Sequence, residues 1–239
     1  SFQDLVAKGY LPQAILNYIA LLGWSPETDQ EIYSLDELIK AFNISRISKS
    51  PAIFDINKLT WMNGVYLRNM SVEEFYELIL PYLKDSISSD VDLFSVAKIL
   101  QPRIDTLSQI KEIEVFPDIA GHIDFFEELP EYDPQMYVHK KMKTTPQIAL
   151  KALKASKEAL ASLEDWSSEE NVHELLLSLP KQLEMKNGQV LWPVRTAITG
   201  KQFTPGGAIE IAHILGKEET LRRIDKGIEK LEAYCKEAQ

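Results

Sequence analysis

The stretch of residues 9–26, GYLPQAILNYIALLGWSP, is the feature of this sequence that most constrains its fold. Pro12 suits the first turn of a helix, where its missing amide hydrogen costs nothing. Beyond it, apolar side chains recur at the three- and four-residue spacing of one buried helical face. These side chains are Ile15, Leu16, Tyr18, Ile19 and Leu22. Because Gly23 favours a helix end, we predict a core helix that begins near Pro12 and stops there.

The composition extends this helical prediction to the whole chain. Helix-forming residues dominate the 239 positions, only 10 of them are glycine, and strand-like alternation is scarce. A hydrophobic content of 45% can support one large domain or two to three small ones. We find no apolar run near the ~20 residues of a membrane span and no signal-peptide pattern at the start. The single cysteine, Cys235, excludes an internal disulfide framework, so we expect a cytoplasmic protein.

The formal net charge of −10 argues at first against a nucleic-acid partner. The charges are segregated, however. Residues 112–133 hold eight acidic side chains and no Lys or Arg, whereas residues 139–157 hold six lysines and no acid. Both runs are typical of solvated faces, and the second could also form a basic surface on an acidic protein. Charge alone therefore leaves the partner open.

Capping residues predict where several helices begin. Ser34 with Glu37 and Ser71 with Glu74 have the spacing of capping boxes, and Asp55 can cap the helix that follows it. On the buried side of the helix that Asp55 caps, we place Phe54, Leu59, Met62, Tyr66 and Leu67. We expect Pro81 to kink or shorten the helix that follows Ser71. Further helices are predicted at residues 91–100, 147–163, 167–179, 188–200 and 218–235, and Thr145 with Pro146 starts the second of these.

Two later segments carry candidate binding residues. Pro102 turns the chain after residue 100, so Arg103 begins a new element, where it could pair locally with Asp105 or another acidic neighbour. Residues 188–207 read GQVLWPVRTAITGKQFTPGG. Gly200 fits the end of one helix, and Thr204 and Pro205 fit the start of the next, with a terminus that glycines leave bare. Exposed amides at such a terminus can bind base edges or phosphates.

The segments 9–26, 54–64, 101–107 and 188–217 together resemble bacterial glutamyl-tRNA synthetases. The resemblance implies an all-α chain, a helical stem-contact fold followed by an anticodon-binding α-superhelix of one or two helical bundles. It implies a stem-contact domain at residues 1–85 and anticodon-binding subdomains at residues 86–185 and 186–239. In that family this part of the enzyme recognises tRNA(Glu), and an N-terminal catalytic domain in cis makes the ester. We expect a monomer without a membrane partner.

The resemblance also assigns residues to each tRNA contact. Positions that touch the D-stem in the family fall here on Ser25, Glu31, Ser48, Pro51, Lys58 and Trp61. Trp61 could instead be a core residue of its helix. Anticodon-contacting positions fall on Arg103, Arg195, Thr204, Pro205 and Gly207. Some family members carry a bulky aliphatic residue in place of Gly207, which puts that one base contact in doubt.

The Arg103 assignment has a chemical basis. An arginine can meet the acceptor edge of the last anticodon base, a cytosine in tRNA(Glu), and exclude a purine. Family members with arginine here tend to accept only tRNA(Glu), so we infer a discriminating enzyme.

The sequence indicates no catalytic site. Residues 121–123 (GHI) and 140–143 (KKMK) are incomplete versions of the two ATP-binding signatures of these synthetases, and neither has a glycine-rich strand-to-helix context. The scattered histidines give no zinc site. We therefore expect no catalysis and no cofactor in this chain, with ATP and magnesium acting in the complete enzyme. The alternative function is a helical protein–protein scaffold, although we detect no fixed-period repeat.

Overall fold

The computed structural model describes residues 1–111 and 122–238. Within these ranges the chain forms α-helices joined by loops and short 3₁₀ turns, and no strand is present, which confirms the all-α prediction. The helices are α1 (Phe2–Ala7), α2 (Pro12–Gly23), α3 (Leu35–Ala41), α4 (Ile56–Asn69), α5 (Val72–Ser86), α6 (Leu93–Leu100), α7 (Pro146–Ser162), α8 (Glu169–Gln182), α9 (Asn187–Thr199), α10 (Ala208–Leu215) and α11 (Lys217–Glu237). Half of the predicted acidic run and the first residue of the GHI segment lie outside the described residues.

In the described residues, none of the helices combines the length and the apolar character that crossing a membrane requires.

The predicted helix starts at Ser34, Asp55, Ser71 and Thr145 are confirmed. Each side chain accepts a hydrogen bond from an amide in the first turn of its helix, and the Ser34 cap is completed by the Glu37 side chain. Gly200 ends α9 in the left-handed region, with φ of 60°. Local hydrogen bonding therefore determined these boundaries, as the sequence indicated.

Two local predictions are wrong. The expectation that Pro81 shortens α5 is wrong, because the helix continues to Ser86, and a kink there stays a prediction. The proline lies on the exposed side of the helix, while Ile79 and Leu83 on the other side are buried. Thr204 does not cap a helix that begins at Pro205. Instead α10 begins at Ala208 with Gly207 as its N-cap, because the Thr204 hydroxyl donates to the Gly206 carbonyl at 2.6 Å within a tight turn.

The predicted buried face of α2 is only partly correct. Ile15 and Tyr18 are buried, together with Ala14 and Asn17, whereas Leu16 is 46% exposed and Ile19 is 53% exposed. The helix packs against α4 and α3, and Leu16 and Ile19 stay exposed on another side of it. Phe54, predicted on the buried side of α4, is also exposed.

One large core runs through most of the molecule. It contains side chains from Leu11 and Ala14 in the first part of the chain to Leu231 in α11. A smaller core between α2 and α4 contains Ile15 and Leu59, and Trp24 forms a third with neighbouring side chains. The predicted domain boundaries at residues 85 and 185 stay predictions.

A buried asparagine joins the first helices to the loop after α6. Asn63 accepts a hydrogen bond from the Leu11 amide at 2.8 Å and donates to the Asp105 carbonyl at 2.6 Å. Beside it the Leu107 amide donates to the Gly9 carbonyl. Gly9 has φ of +84°, and a Cβ there would lie 2.6 Å from the Leu107 nitrogen, so this close approach requires glycine.

A buried arginine connects α11 with two other segments. Arg223 is 1% exposed and donates to the carbonyls of Phe125 and Ile198, at 2.7 and 2.6 Å. Its Nε donates to the Glu219 carboxylate at 2.7 Å. These three hydrogen bonds compensate the buried charge of the guanidinium. Such compensation is the condition under which a protein tolerates a charge in its interior.

We expect Arg223→Met to destabilise the protein by about 3–5 kcal/mol, because the change leaves two buried carbonyls without a donor and Glu219 without its buried partner. The matched control is Arg222→Met. Arg222 pairs with the same carboxylate but is exposed, so its loss should cost under about 1 kcal/mol. Chemical denaturation of the two variants measures the difference, and equal losses would contradict the assigned role of Arg223.

Stability should also depend on Glu219 at low pH. Hydrogen bonds from Arg222, and then from Arg223, lower the pKa of Glu219 from 4.5 to about 2. Since the folded-state pKa is depressed, the stabilisation is present above pH 4.5 and is lost as the pH falls toward 2. Denaturation of the wild type and of Glu219→Gln across this window should show a flatter pH dependence in the variant; parallel curves would exclude the contribution.

Candidate nucleic-acid interface

Three of the six predicted stem-contact residues line one cavity. Ser25, Glu31 and Lys58 surround a space of about 430 Å³ between the start of α4 and the loop that follows α2. Lys58 lies in the first turn of α4, and Asp55 caps this turn by accepting from the Lys58 amide. The cap fixes the direction in which the lysine side chain leaves the helix.

The Lys58 ammonium contacts both an acid and an aromatic ring. It forms an ion pair with Glu31, and it lies 4.7 Å from the centre of the Trp61 ring. Trp61 is 45% exposed, so the alternative that it belongs to the core is wrong. A cation beside an exposed indole can offer a phosphate contact and an apolar surface to one ligand.

Ser25 and Ser48 are neighbours through the backbone. Trp24 and Ile47 form an antiparallel bridge. On either side of this bridge, the Ser25 amide donates to the Arg46 carbonyl at 3.2 Å and the Ser48 amide donates to the Gly23 carbonyl at 2.8 Å. Pro51 is exposed in the loop that follows. The structure thus groups Ser25, Glu31, Lys58 and Trp61, with Ser48 beside them.

Arg103 follows α6 and is exposed. One terminal nitrogen of Arg103 donates to the Ile99 carbonyl at 2.8 Å. Ile99 lies in the last turn of α6. The local alternative, a pair with Asp105, is wrong: Asp105 pairs with Arg68 at 3.0 Å. In the described part of the chain no carboxylate lies within ion-pair distance of Arg103, so most of its donors face solvent.

Arg195 is partly buried on α9. Its guanidinium lies 4.7 Å from the ring centre of Trp192, one turn earlier on the same helix, and it donates to the Gln202 carbonyl at 2.7 Å. Burial lowers the pKa of Arg195. Its Nε has no acceptor among the described residues. An arginine held by an indole and a backbone carbonyl is pre-organised to meet a planar ligand.

The terminus of α10 is not bare, contrary to the prediction. The Gly207 amide is bound by the Glu210 side chain, which closes a capping box. Thr204 and Pro205 are buried, and Gly207 is exposed. A ligand could reach this amide only by displacing the Glu210 carboxylate. The prediction of exposed amides at a helix that starts with Thr204 and Pro205 is therefore wrong in this structure.

The three candidate anticodon segments are attached to neighbouring helices. Arg103 follows α6, Arg195 lies on α9, and residues 204–207 lead into α10, which packs against both. Asp105, two residues after Arg103, is fixed by Arg68 and Asn63. The packing of α10 thus connects all three to one part of the fold.

Sequence reasoning missed two aromatic residues beside Arg195. Trp192 packs against Arg195 and also against the ring of His139, with ring centres 4.1 Å apart. The i, i+3 spacing of Trp192 and Arg195 on a predicted helix was the available signal. The contact with His139 depends on tertiary packing, and the sequence carries no sign of it.

The described residues include no group of three or more His, Cys, Asp or Glu side chains placed to hold a metal ion.

Comparison with known proteins identifies the class of this helical chain. Residues 74–228 match the family model of the anticodon binding domain, and the chain belongs to that family. Residues 2–61 match the model of the catalytic domain of class I tRNA synthetases (E and Q). This second match overlaps the predicted stem-contact domain, so the comparison leaves the absence of catalytic function in this chain unconfirmed.

The chain is similar to curated glutamate–tRNA ligases. It is 53% identical to the one from Clostridium botulinum strain Hall, over 98% of this chain and 46% of that protein. The relative from Clostridium tetani is 54% identical over 97% of this chain and 45% of that protein. The chain thus spans about half the length of these relatives.

Solved structures show the same similarity. A glutamate tRNA ligase from Elizabethkingia meningosepticum, determined in complex with its amino acid, matches with a TM-score of 0.77 at 29% identity, covering 95% of this chain and 43% of that one. The glutamate–tRNA synthetase of Elizabethkingia anophelis matches with a TM-score of 0.75 at 28% identity.

Proposed function

We propose that this chain is the tRNA-recognising part of a glutamate–tRNA ligase and that it binds tRNA(Glu). The observation that carries the proposal is the similarity to glutamate–tRNA ligases over nearly the whole chain, together with the anticodon-binding match over residues 74–228. A helical protein–protein scaffold is not favoured, because it would explain neither of these matches.

The first contact in this proposal is with the D-stem. Lys58 would supply the phosphate contact, since an ammonium on a flexible stem tolerates imprecise geometry. The exposed ring of Trp61 would lie against a sugar edge, with Ser25, Ser48 and Pro51 around it. Glu31 holds the Lys58 ammonium in the free protein, so RNA binding would exchange this carboxylate for a phosphate.

The second contact is with the anticodon. Arg103 would read the last base, because its exposed donors can meet the acceptor edge of cytosine. Arg195 would lie against another anticodon base, with the Trp192 ring beneath its guanidinium. Gly207, which is exposed, would add a surface on which a base can rest, and the buried Thr204 and Pro205 would support the turn that presents it.

We propose that ester formation belongs to the rest of the enzyme, a catalytic domain in cis that uses ATP and magnesium. The distribution of exposed apolar side chains supports this division. Of the 17 large apolar side chains that are exposed in the described residues, 13 lie in residues 1–61, which also match part of the catalytic-domain model. Leu16 and Ile19 are among them, and we propose that this surface packs against the remainder of that domain.

Arg103→Gln should reduce the preference for cytosine at the last anticodon position. The test is a binding titration of the anticodon arm of tRNA(Glu) and of the same arm with its last base changed to G. The wild type should favour the C arm by about 1–3 kcal/mol, the range of one good bidentate base contact. The variant should approach equal affinities, because glutamine lacks the cationic fork.

Lys98→Gln is the matched control for this titration, since it removes an exposed cation near the end of α6, the helix that Arg103 follows. It should lower both affinities alike and leave the ratio unchanged. A ratio that is unaffected by Arg103→Gln would remove Arg103 from base reading, and failure of either arm to bind the wild type at low salt would overturn the proposed function.

The isolated chain should not activate glutamate. An ATP–pyrophosphate exchange assay with glutamate should show no signal above a blank, with and without tRNA. The full-length enzyme provides the positive control. Exchange by the 239-residue chain would show that residues 2–61 belong to a working catalytic unit.

A further inference from the structure

We propose that residues 139–144, the lysine turn, form a second RNA-contacting element next to Arg195 and bind phosphates that flank the base held there. The inference rests on the proposed function and extends it to a segment that the resemblance left without a role. It is drawn from the shape of the turn, its attachment to α9, and its unneutralised charge.

The turn has a fixed shape. His139 and Thr144 form an antiparallel bridge, and the Lys143 amide donates to the Lys140 carbonyl at 3.3 Å. The Thr144 hydroxyl is buried, where it accepts from the His139 amide and donates to the Tyr137 carbonyl, at 2.9 and 2.7 Å. Lys140, Lys141 and Lys143 project from this closed loop, and all three are exposed.

The turn is attached to the same helix that carries Arg195. The His139 ring packs on Trp192, which also contacts the Arg195 guanidinium. The Gln189 side chain donates to the Lys143 carbonyl at 3.0 Å. Met142 packs over Gly188, where a Cβ would lie 2.6 Å from the Met142 sulfur. These contacts fix the backbone of the turn against the first two turns of α9, the helix that carries Arg195.

The charge of the turn differs from that of the helix after it. On α7, Lys154 pairs with Glu232 at 2.9 Å and Lys157 pairs with Asp225, both on α11. For the three lysines of the turn, no carboxylate in residues 1–111 or 122–238 lies within 4.0 Å. Lys151 on α7 is also exposed and has no such pair among the described residues. Pairing with α11 therefore neutralises two of the three α7 lysines, whereas all three lysines of the turn keep their charge within the described part of the chain.

Lys143 occupies an unfavourable backbone conformation. Its φ is 56°, a region that glycine and asparagine adopt at lower cost than lysine. A lysine at this position makes the turn less stable than glycine would, and it adds a positive charge to the turn. Strained residues of this kind concentrate at functional sites, and the strain here coincides with the free charges.

RNA phosphates are the ligand that this arrangement fits. Three flexible ammonium groups can each neutralise a phosphate without reading sequence. The Arg195 guanidinium, which lies over the buried Trp192 ring, supplies a planar surface of the kind on which single-stranded bases stack. The combination of a cationic turn and a stacking surface is typical of sites that follow an unstacked strand.

The decisive variant is Lys140→Gln/Lys141→Gln/Lys143→Gln, compared with Lys84→Gln/Lys226→Gln/Lys236→Gln, which removes three exposed charges on α5 and α11. Both are titrated with the anticodon arm of tRNA(Glu) over a salt series. The turn variant should bind more weakly. The slope of log affinity against log salt should become smaller in magnitude by about 2, because each of the three lost phosphate contacts on a single strand contributes ~0.7. The control should keep the wild-type slope to within about 0.5.

Lys143→Gly separates binding from folding. The glycine relieves the left-handed backbone, so the variant should be at least as stable as the wild type in thermal unfolding, while its salt slope falls by about 0.7. A turn variant that binds with the wild-type affinity and slope would overturn this inference alone. Loss of the preference for C over G without a change in slope would also overturn it, and absence of binding by the wild type would overturn the proposed function with it.

Discussion

The buried guanidinium of Arg223 is the interaction on which the arrangement of the second half of the chain depends. It binds the carbonyl at the end of α9, the carbonyl of Phe125 in an irregular segment, and the Glu219 carboxylate one turn earlier on α11. Burial lowers the pKa of Arg223, but arginine stays charged, so the charge must be compensated inside the protein. Because Glu219 lies on α11 itself, the two carbonyls are the acceptors that tie α9 and the segment at Phe125 to this turn of α11.

This constraint reaches the candidate interface through α9. The helix carries Trp192, which packs on His139 of the lysine turn, and Arg195, which contacts Trp192; the Ile198 carbonyl near its end is held by Arg223. Gly200 then turns the chain toward residues 204–207 in the left-handed conformation that a side chain would oppose. The position of each candidate anticodon contact after residue 190 therefore depends on how α9 is seated in the core.

Ion pairing explains how a chain with a net charge of −10 can present a basic surface. Several lysines and arginines are neutralised by acids on neighbouring elements, as Lys154 and Lys157 are by α11. Others keep their charge exposed, including Arg103 and the lysines of residues 140–143. Because screening limits electrostatic interactions to about 8–10 Å, the local distribution matters more to RNA than the total.

The sequence by itself determined the all-α class, most helix starts and the identity of the candidate residues. Caps such as Asp55 and Thr145, and the stop at Gly200, depend on hydrogen bonds within a few residues, so local patterns suffice to predict them. The sequence failed where a contact spans the chain. It placed Leu16 and Ile19 in the core because periodicity shows a face and does not show whether anything covers it. Only the tertiary structure paired Lys58 with Glu31, closed the Gly207 amide with Glu210, and set His139 on Trp192 beside Arg195. These contacts depend on which helices pack together, and that is decided by the shared core of the whole molecule.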